Sequence, residues 1–287
     1  MTLALMSEFT FGSMTTQYLT LLDDAPAGPE LLSGTAFAGF AHFTAMQVRD
    51  GGVRGLDLHL DRLASASRKL FDAQIPNEQV RDYIRTALST SPPDLSLTVT
   101  VFDSNGEFTN DDRPSLHALI RTAPPSEGPT GPLSLAVFEH ERFMPDIKHV
   151  GEGAKTFFMR RARAAGFDDA AFIDRHGNLS EGSIWNMAFF DGDTVVWPES
   201  DILTGTTMAI VQRQLTTMSV PQETRSITLS LAGRMDAAVV MNSWTPAIAV
   251  HRIADTALPV RPDLVRVLHD AYAAEPLARP HERQSAE

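Results

Sequence analysis

The chain contains three lysines, and one of them, Lys148 in MPDIKHVG, opens a series of groups that could perform amine chemistry. Glu181 follows in LSEGSIWN, and Thr206 and Thr207 follow in ILTGTT. A lysine, a carboxylate and a hydroxyl-bearing turn, in that order, are the parts that hold pyridoxal 5'-phosphate. The amine forms a Schiff base, the carboxylate pairs with the pyridinium nitrogen, and the turn takes the phosphate. Such an amine has to be held next to the aldehyde and kept partly neutral. Gly205 precedes the two threonines at an expected helix start, where free amides and hydroxyls favour a dianion. Lys155 falls in the middle of the helix expected after Lys148, where an exposed charge is ordinary. Lys69, beside Arg68, reads as a solvated helix face.

The elements that must position these groups follow from pattern. HFTAMQVR (42–49) is strand-like and runs into the turn Asp50-Gly51-Gly52, a hairpin signal. Leu60, Leu63, Ser67 and Leu70 lie near helical spacing in LHLDRLASASRKLF. NEQVRDYIRTAL predicts a second helix with Asn77 as its cap. LSLTVTVFD (95–103) and LHALIRT (116–122) read as strands. TAPPSEGPTGP concentrates Pro, Gly and Ser and marks a linker. The reading is a domain over 1–125, a linker over 126–132 and a larger domain over 133–287. The second domain opens with the strand LSLAVFEHE. A helix over about 152–165 comes next, with Gly166 at its C′ position. DAAFID and LSEGSIWNMAFF read as two strands joined by a turn at 175–178. A turn at Asp191-Gly192 leads into the TVVWP strand, and a helix runs from near Thr207 to about Thr217. AAVVMNS is a short strand and DLVRVLHDAYAA a helix. The tail from Glu275 reads as disordered.

Bulk properties exclude several functions. The chain has 287 residues, 43% of them hydrophobic, and a net charge of −12. That charge argues against nucleic acid and anionic membranes as partners. The absence of cysteine removes disulfides, thiolate metal sites and cysteine nucleophiles. The nine histidines form no HxH or HExxH pattern, so no metal site is expected. The first residues lack a basic n-region and carry Glu8, which makes a poor signal peptide. No apolar run approaches the ~20 residues of a membrane span. The expectation is a soluble cytoplasmic protein.

Five blocks occur in order: LDLHLDRL, DIKHVG, AAGFDDAAFIDRHGNLSEGSIWN, ILTGTT and VVMNSWTP. In these the chain resembles the class IV aminotransferases, the fold-type IV pyridoxal phosphate enzymes, from about Gly39 to Val250. That family includes D-amino acid and branched-chain transaminases and aminodeoxychorismate lyases. The resemblance implies a two-domain α+β fold. A small N-terminal α/β sandwich-like domain would precede a larger β-barrel-like domain with helices. It implies that Lys148 is the Schiff-base lysine and that Glu181 pairs with the ring nitrogen. Arg62 and Ser243 would join Thr206 and Thr207 around the phosphate, Leu203 would pack on the ring, and Asn186 would support the region. A homodimer with its active site near the subunit interface is also implied. The chain departs from the family in three places: GFAHFT lacks the Asp of Gly-Asp-Gly, Met208 replaces an Arg, and no tyrosine follows Lys148.

The resemblance leaves two fates for the substrate. IKH, NSWTP and Phe43-Thr44 look like the aminodeoxychorismate lyase branch, where a Thr44 hydroxyl near the cofactor could assist proton transfer. EGSIWN and VVWPE look like class IV transaminases. The expected activity is transfer of an amino group between an amino acid or amine and a 2-keto acid. A lyase forming 4-aminobenzoate is the alternative, and a non-catalytic protein on a relic fold is the second. His42 and Trp244 are weaker pocket candidates. Arg160, Arg161 and Arg163 read as a solvated or dimer-facing patch.

Overall fold

The computed structural model describes residues 18–29, 32, 35, 38–108 and 113–280. Two sheets organise them. The first has seven strands in the order Leu277–Ala278, Gly52–Arg54, His42–Arg49, Leu95–Asp103, Leu116–Ala123, Thr20–Leu22 and Ala25–Pro26. Its central strands alternate as a half-buried sheet should. Leu95, Leu97, Val99 and Val101 all point to one face and are buried there. The helices Leu56–Phe71 and Asn77–Ser89 cover that face with Leu60, Leu63, Val80 and Ile84. Each such side chain contributes roughly 1.5–3 kcal/mol when removed from water. The hairpin after Arg49 turns through Asp50 and Gly51 at φ 48° and 69°, as the right-handed twist of paired strands favours.

The second sheet runs Gln222–Arg225, Thr194–Pro198, Asn186–Asp191, Ala237–Asn242, Thr245–Ile253, Leu133–Glu139, Asp169–Ile173 and Leu179–Gly182. Its last strand returns to Asn186–Asp191 through the pair Glu181–Asn186 and closes the sheet into a barrel. Phe189, Val196, Val240 and Val250 fill the interior. The helices Thr206–Thr217 and Pro262–Ala274 pack on each other and on the barrel wall through Met208, Val211, Leu215 and Leu268. The α+β class and barrel-like second half expected from sequence are both present.

Four local expectations change. Asn77 is the first helical residue and Pro76 holds the cap position, with no side-chain capping bond; the fixed φ of proline suits a helix entrance. LSEGSIWNMAFF is two strands, because Gly182 N donates to Trp185 O at 2.7 Å and breaks the run. A Cβ on Gly182 would lie 3.0 Å from Ala170 O, so a larger residue fits poorly there. TPAIAVHRI, not recognised as an element, is the strand Thr245–Ile253. The tail after Glu275 is paired where it was expected to be disordered, since Leu277 and Ala278 pair with Arg54 and Val53 of the first sheet. The readings made on residues 1–17 and 281–287 lie outside the described residues.

The two sheets change over between Ala123 and Leu133, a stretch without helix or strand. Arg213 ties the halves together. It donates to Asp57 Oδ2 at 2.8 Å on the first helix and to Glu275 Oε2 at 2.9 Å before the final strand. Glu275 is buried, so losing its partner strands a charge. Arg213→Met should lower stability by about 1–3 kcal/mol, read as a lower midpoint in thermal denaturation. An unchanged midpoint would show that the clamp carries no weight.

Candidate active site

The segment that carries Lys148 is pinned to the first sheet. Phe43 N donates to Lys148 O at 2.9 Å, and Val150 N donates to Ala41 O at 2.7 Å. Ile147 is buried as the anchor beside it. This short bridge lays a loop of the barrel half along strand His42–Arg49. The Lys148 amine then lies 4.8 Å from the centre of the Phe43 ring, inside a cavity of about 480 Å³ that Phe43, Ala45 and Thr98 line from the first sheet. Such a volume falls in the range of small-molecule sites.

Period 2 decides what strand His42–Arg49 offers to this cavity. Phe43 and Ala45 face it. His42 and Thr44 face the helix behind, where His42 Nε2 meets Ser67 Oγ at 2.8 Å and Thr44 Oγ1 meets His59 Nδ1 at 2.6 Å. Thr44 is fully buried. The expectation of a Thr44 hydroxyl beside the cofactor, and of His42 as a pocket residue, is corrected by this register. Both rings avoid a buried charge: desolvation brings His42 down to about 4 and His59 to about 3, the latter helped by Arg62.

The other expected site residues converge. Arg62, Lys148, Glu181, Leu203, Thr206 and Thr207 all line the cavity, and so do Ser243 and Trp244. Ser243 is held in a tight turn in which Trp244 N donates to Asn242 Oδ1 at 2.8 Å. Arg160, Arg161 and Arg163 do not line it. Lys69 is exposed and pairs with Asp146 at 2.7 Å.

One end of the cavity is built for an anion. The helix Thr206–Thr217 begins after Gly205 with no side-chain cap and no acidic residue in its first turn. Its leading amides and dipole therefore favour negative charge. Asn186 shapes the approach: its Nδ2 donates to Leu203 O at 2.7 Å and its Oδ1 accepts from Gly205 N at 3.0 Å. A Cβ at 205 would meet Asn186 Oδ1 at 2.1 Å, so a larger residue there would displace that side chain. Arg62 reaches across from the first half and donates to Thr204 O at 2.7 Å. Burial and the nearby Arg142 bring it down to about 10, which leaves it charged at neutral pH.

Glu181 also lines the cavity, 4% exposed. Its Oε1 is 3.0 Å from Lys155 Nζ and 3.8 Å from Arg142 Nη1. Lys155 is thus a cavity residue rather than the exposed mid-helix charge expected from sequence. It is the third residue of the helix Gly153–Ala164, at the end that abuts the site. Arg142 is buried and also went unrecognised; it donates to Ile147 O at 2.6 Å and pairs with Glu152 at 3.3 Å. Nothing in a single sequence marks residues so far apart as neighbours.

The amine itself is tuned. Burial, then the charges of Arg62, Lys155 and Arg142, bring Lys148 down to about 7, with Glu181 opposing. A substantial neutral fraction is therefore present at physiological pH, as nucleophilic attack on an aldehyde requires.

Pyridoxal phosphate fits this donor set. Thr206 Oγ1 is buried without a hydrogen-bond partner, a cost that a phosphate oxygen at the helix start would relieve. A larger cleft of about 610 Å³ lies on the other side of Glu181, but Glu141, Asp174, Glu199 and Asp201 line it and Lys148 does not. Those carboxylates disfavour an anion. Among the described residues no group of three or more His, Asp or Glu is placed to hold a metal ion. If Asn186 shapes the anion end, Asn186→Ala should weaken pyridoxal phosphate binding by about tenfold, the equivalent of one lost hydrogen bond. Fluorescence titration would measure it; wild-type affinity would assign Asn186 no such part.

The comparisons with known proteins agree with this geometry. The amino-transferase class IV family matches residues 41–253. Solved structures with the same fold include a branched-chain aminotransferase from Thermoproteus uzoniensis, bound to norvaline. It is 21% identical, with 88% of this chain and 93% of that one covered and a TM-score of 0.75. A 4-amino-4-deoxychorismate lyase from Pseudomonas aeruginosa is also 21% identical, with 88% and 97% covered and a TM-score of 0.72. A hypothetical aminotransferase from Mycobacterium tuberculosis in a PLP-bound form is 17% identical, with 90% and 98% covered and a TM-score of 0.76. No curated protein matches. With the family match spanning most of its length and the lysine, carboxylate and anion-binding helix start gathered in one cavity, the chain belongs to the class IV aminotransferases.

Proposed function

We propose that this protein is a pyridoxal phosphate-dependent aminotransferase that moves an amino group between an amino acid or amine and a 2-keto acid. The observation that carries the reading is the Lys148 amine, brought down to about 7, in one cavity with Glu181 and the uncapped start of helix Thr206–Thr217. When bound, pyridoxal phosphate would supply an aldehyde for the amine and an electron-accepting ring. Lys148 would hold the cofactor through a Schiff base and, once displaced by substrate, move a proton as general base. Glu181 would hold the ring nitrogen's proton. Thr206, Thr207, Arg62 and Ser243 would bind the phosphate, and Leu203 would pack against the ring.

The exposed part of the lining indicates the substrate side. Val150, Ile184 and Trp244 are large apolar side chains left partly in water there, and Trp244 packs edge-on against Trp185 at 6.0 Å between ring centres. An apolar side chain on the amino donor suits that wall. Of the cavity's cations, Arg142 and Lys155 are engaged with Glu181, and Arg62 with the Thr204 carbonyl. A homodimer belongs to the same reading, and the exposed Phe143 and Phe157 offer it apolar surface. Among the described residues no helix is long and apolar enough to cross a membrane.

The lyase alternative drew on IKH, NSWTP and Phe43-Thr44; of these, the Thr44 hydroxyl is turned to His59, and the transaminase reading needs no such hydroxyl. Two measurements test the proposal. Purified protein with pyridoxal phosphate should develop a visible absorption band that Lys148→Ala lacks. Its rate of formation should rise about tenfold per pH unit below pH 7 and level off above it, because the neutral fraction of a group near 7 does so. A rate that keeps rising towards pH 10 would mean an ordinary exposed lysine. An apolar amino donor should then bleach the band and a 2-keto acid restore it. Product release without any acceptor would favour the lyase.

A further inference from the structure

The second lysine of the cavity comes nearest to one oxygen of a buried carboxylate. Lys155 Nζ, on a side chain 13% exposed, lies 3.0 Å from Glu181 Oε1. Arg142 Nη1 approaches that same oxygen at 3.8 Å. Both cations make their nearest approach at Oε1, which leaves Oε2 the less engaged oxygen. A second carboxylate, Glu152, is occupied by Arg142 Nε at 3.3 Å, His149 Nε2 at 3.3 Å and His140 Nε2 at 3.5 Å. Glu152 also lines the cavity, but Glu181 is the carboxylate paired with Lys155.

The groups facing Lys148 come from every element around it. Arg62 reaches in from the helix Leu56–Phe71, Lys155 from the helix Gly153–Ala164, Arg142 from the loop before Lys148, and Glu181 from the barrel wall. The Phe43 ring covers the amine from the first sheet. A cation held on Glu181 acts twice. It stabilises a carboxylate that would be costly to bury alone, and it spends on itself the attraction that Glu181 would otherwise exert on a Lys148 ammonium.

We propose that Lys155 is a positioning residue of this site: it grips Oε1 of Glu181, leaves Oε2 to meet the ring nitrogen of pyridoxal phosphate, and keeps positive charge beside Lys148. The inference rests on the cofactor reading above for the ring nitrogen, but its effect on Lys148 exists without cofactor. Removal of Lys155 acts on Lys148 in one direction. A like charge disappears and Glu181 is freed to attract, so the Lys148 proton is held more tightly.

The test uses the small lysine count. Protein labelled with ε-13C-lysine gives three side-chain signals, which can be followed through pH without cofactor in the wild type, Lys155→Met and Lys155→Arg. In the wild type Lys148 should titrate near 7, and Lys155, which burial brings below an ordinary lysine while Glu181 opposes, should lose its proton after Lys148. In Lys155→Met the Lys148 midpoint should rise by about one unit, and Lys155→Arg should restore it. A second arm mixes each form with pyridoxal phosphate at pH 6, reduces with borohydride and maps the modified peptide. Capture on Lys148 should slow about tenfold in Lys155→Met, in line with the smaller neutral fraction. An unshifted Lys148 midpoint in Lys155→Met, or a wild-type Lys155 that loses its proton before Lys148, overturns the inference; the latter readout needs no variant to fold. Capture on Lys155 instead of Lys148 also overturns it. Failure of every form to capture the aldehyde, with the titrations as expected, sinks the cofactor reading and leaves the electrostatic role of Lys155 standing.

Discussion

Burial, and after it the charges of Arg62, Lys155 and Arg142, bring the Lys148 amine down to about 7. Burial alone would do this in many proteins. Here the burial is produced by the junction of two sheets. The bridge from Phe43 N to Lys148 O and from Val150 N to Ala41 O closes a barrel loop over a strand of the other half. Loosening that bridge would expose the amine, and the cations that crowd it would no longer be arranged around it. The Arg213 clamp, joining the first helix to the buried Glu275, helps hold the halves in register.

The same arrangement sorts charge across the cavity. One end has an uncapped helix start, an orphaned Thr206 hydroxyl and Arg62. The other has a carboxylate on a buried strand. A ligand with a phosphate at one end and a protonated ring nitrogen at the other matches that polarity. Asn186 links the two ends, since its backbone pairs with Glu181 and its side chain holds both Leu203 and Gly205.

Much of this was legible in the chain. Lys148, Glu181, Thr206 and Thr207 were legible through the order of the blocks that carry them, a loop lysine, then a carboxylate on an apolar strand, then hydroxyls at a helix start, since no one block is specific alone. The hairpin at Asp50-Gly51 and the helices at 56–71 and 206–217 follow from turn chemistry and periodicity. What was not legible depends on packing between distant segments. The face that Thr44 presents depends on which side of the first sheet the helices cover. Whether a lysine two residues into a helix is exposed depends on where that helix end abuts, and Lys155 abuts the cavity. The break at Gly182 follows from close approach of Ala170 and Trp185, which no local pattern records. The polar tail beyond Glu275 looks unstructured until Arg54 and Val53 offer it a strand edge.

A crystal structure of the protein with pyridoxal 5'-phosphate would address the central claim most directly. The expected result is continuous density from Lys148 Nζ to the cofactor, phosphate against the amides of Thr206 and Thr207, and the ring nitrogen within hydrogen-bond reach of Glu181 Oε2. Phosphate bound elsewhere, or density joined to a different lysine, would contradict the account.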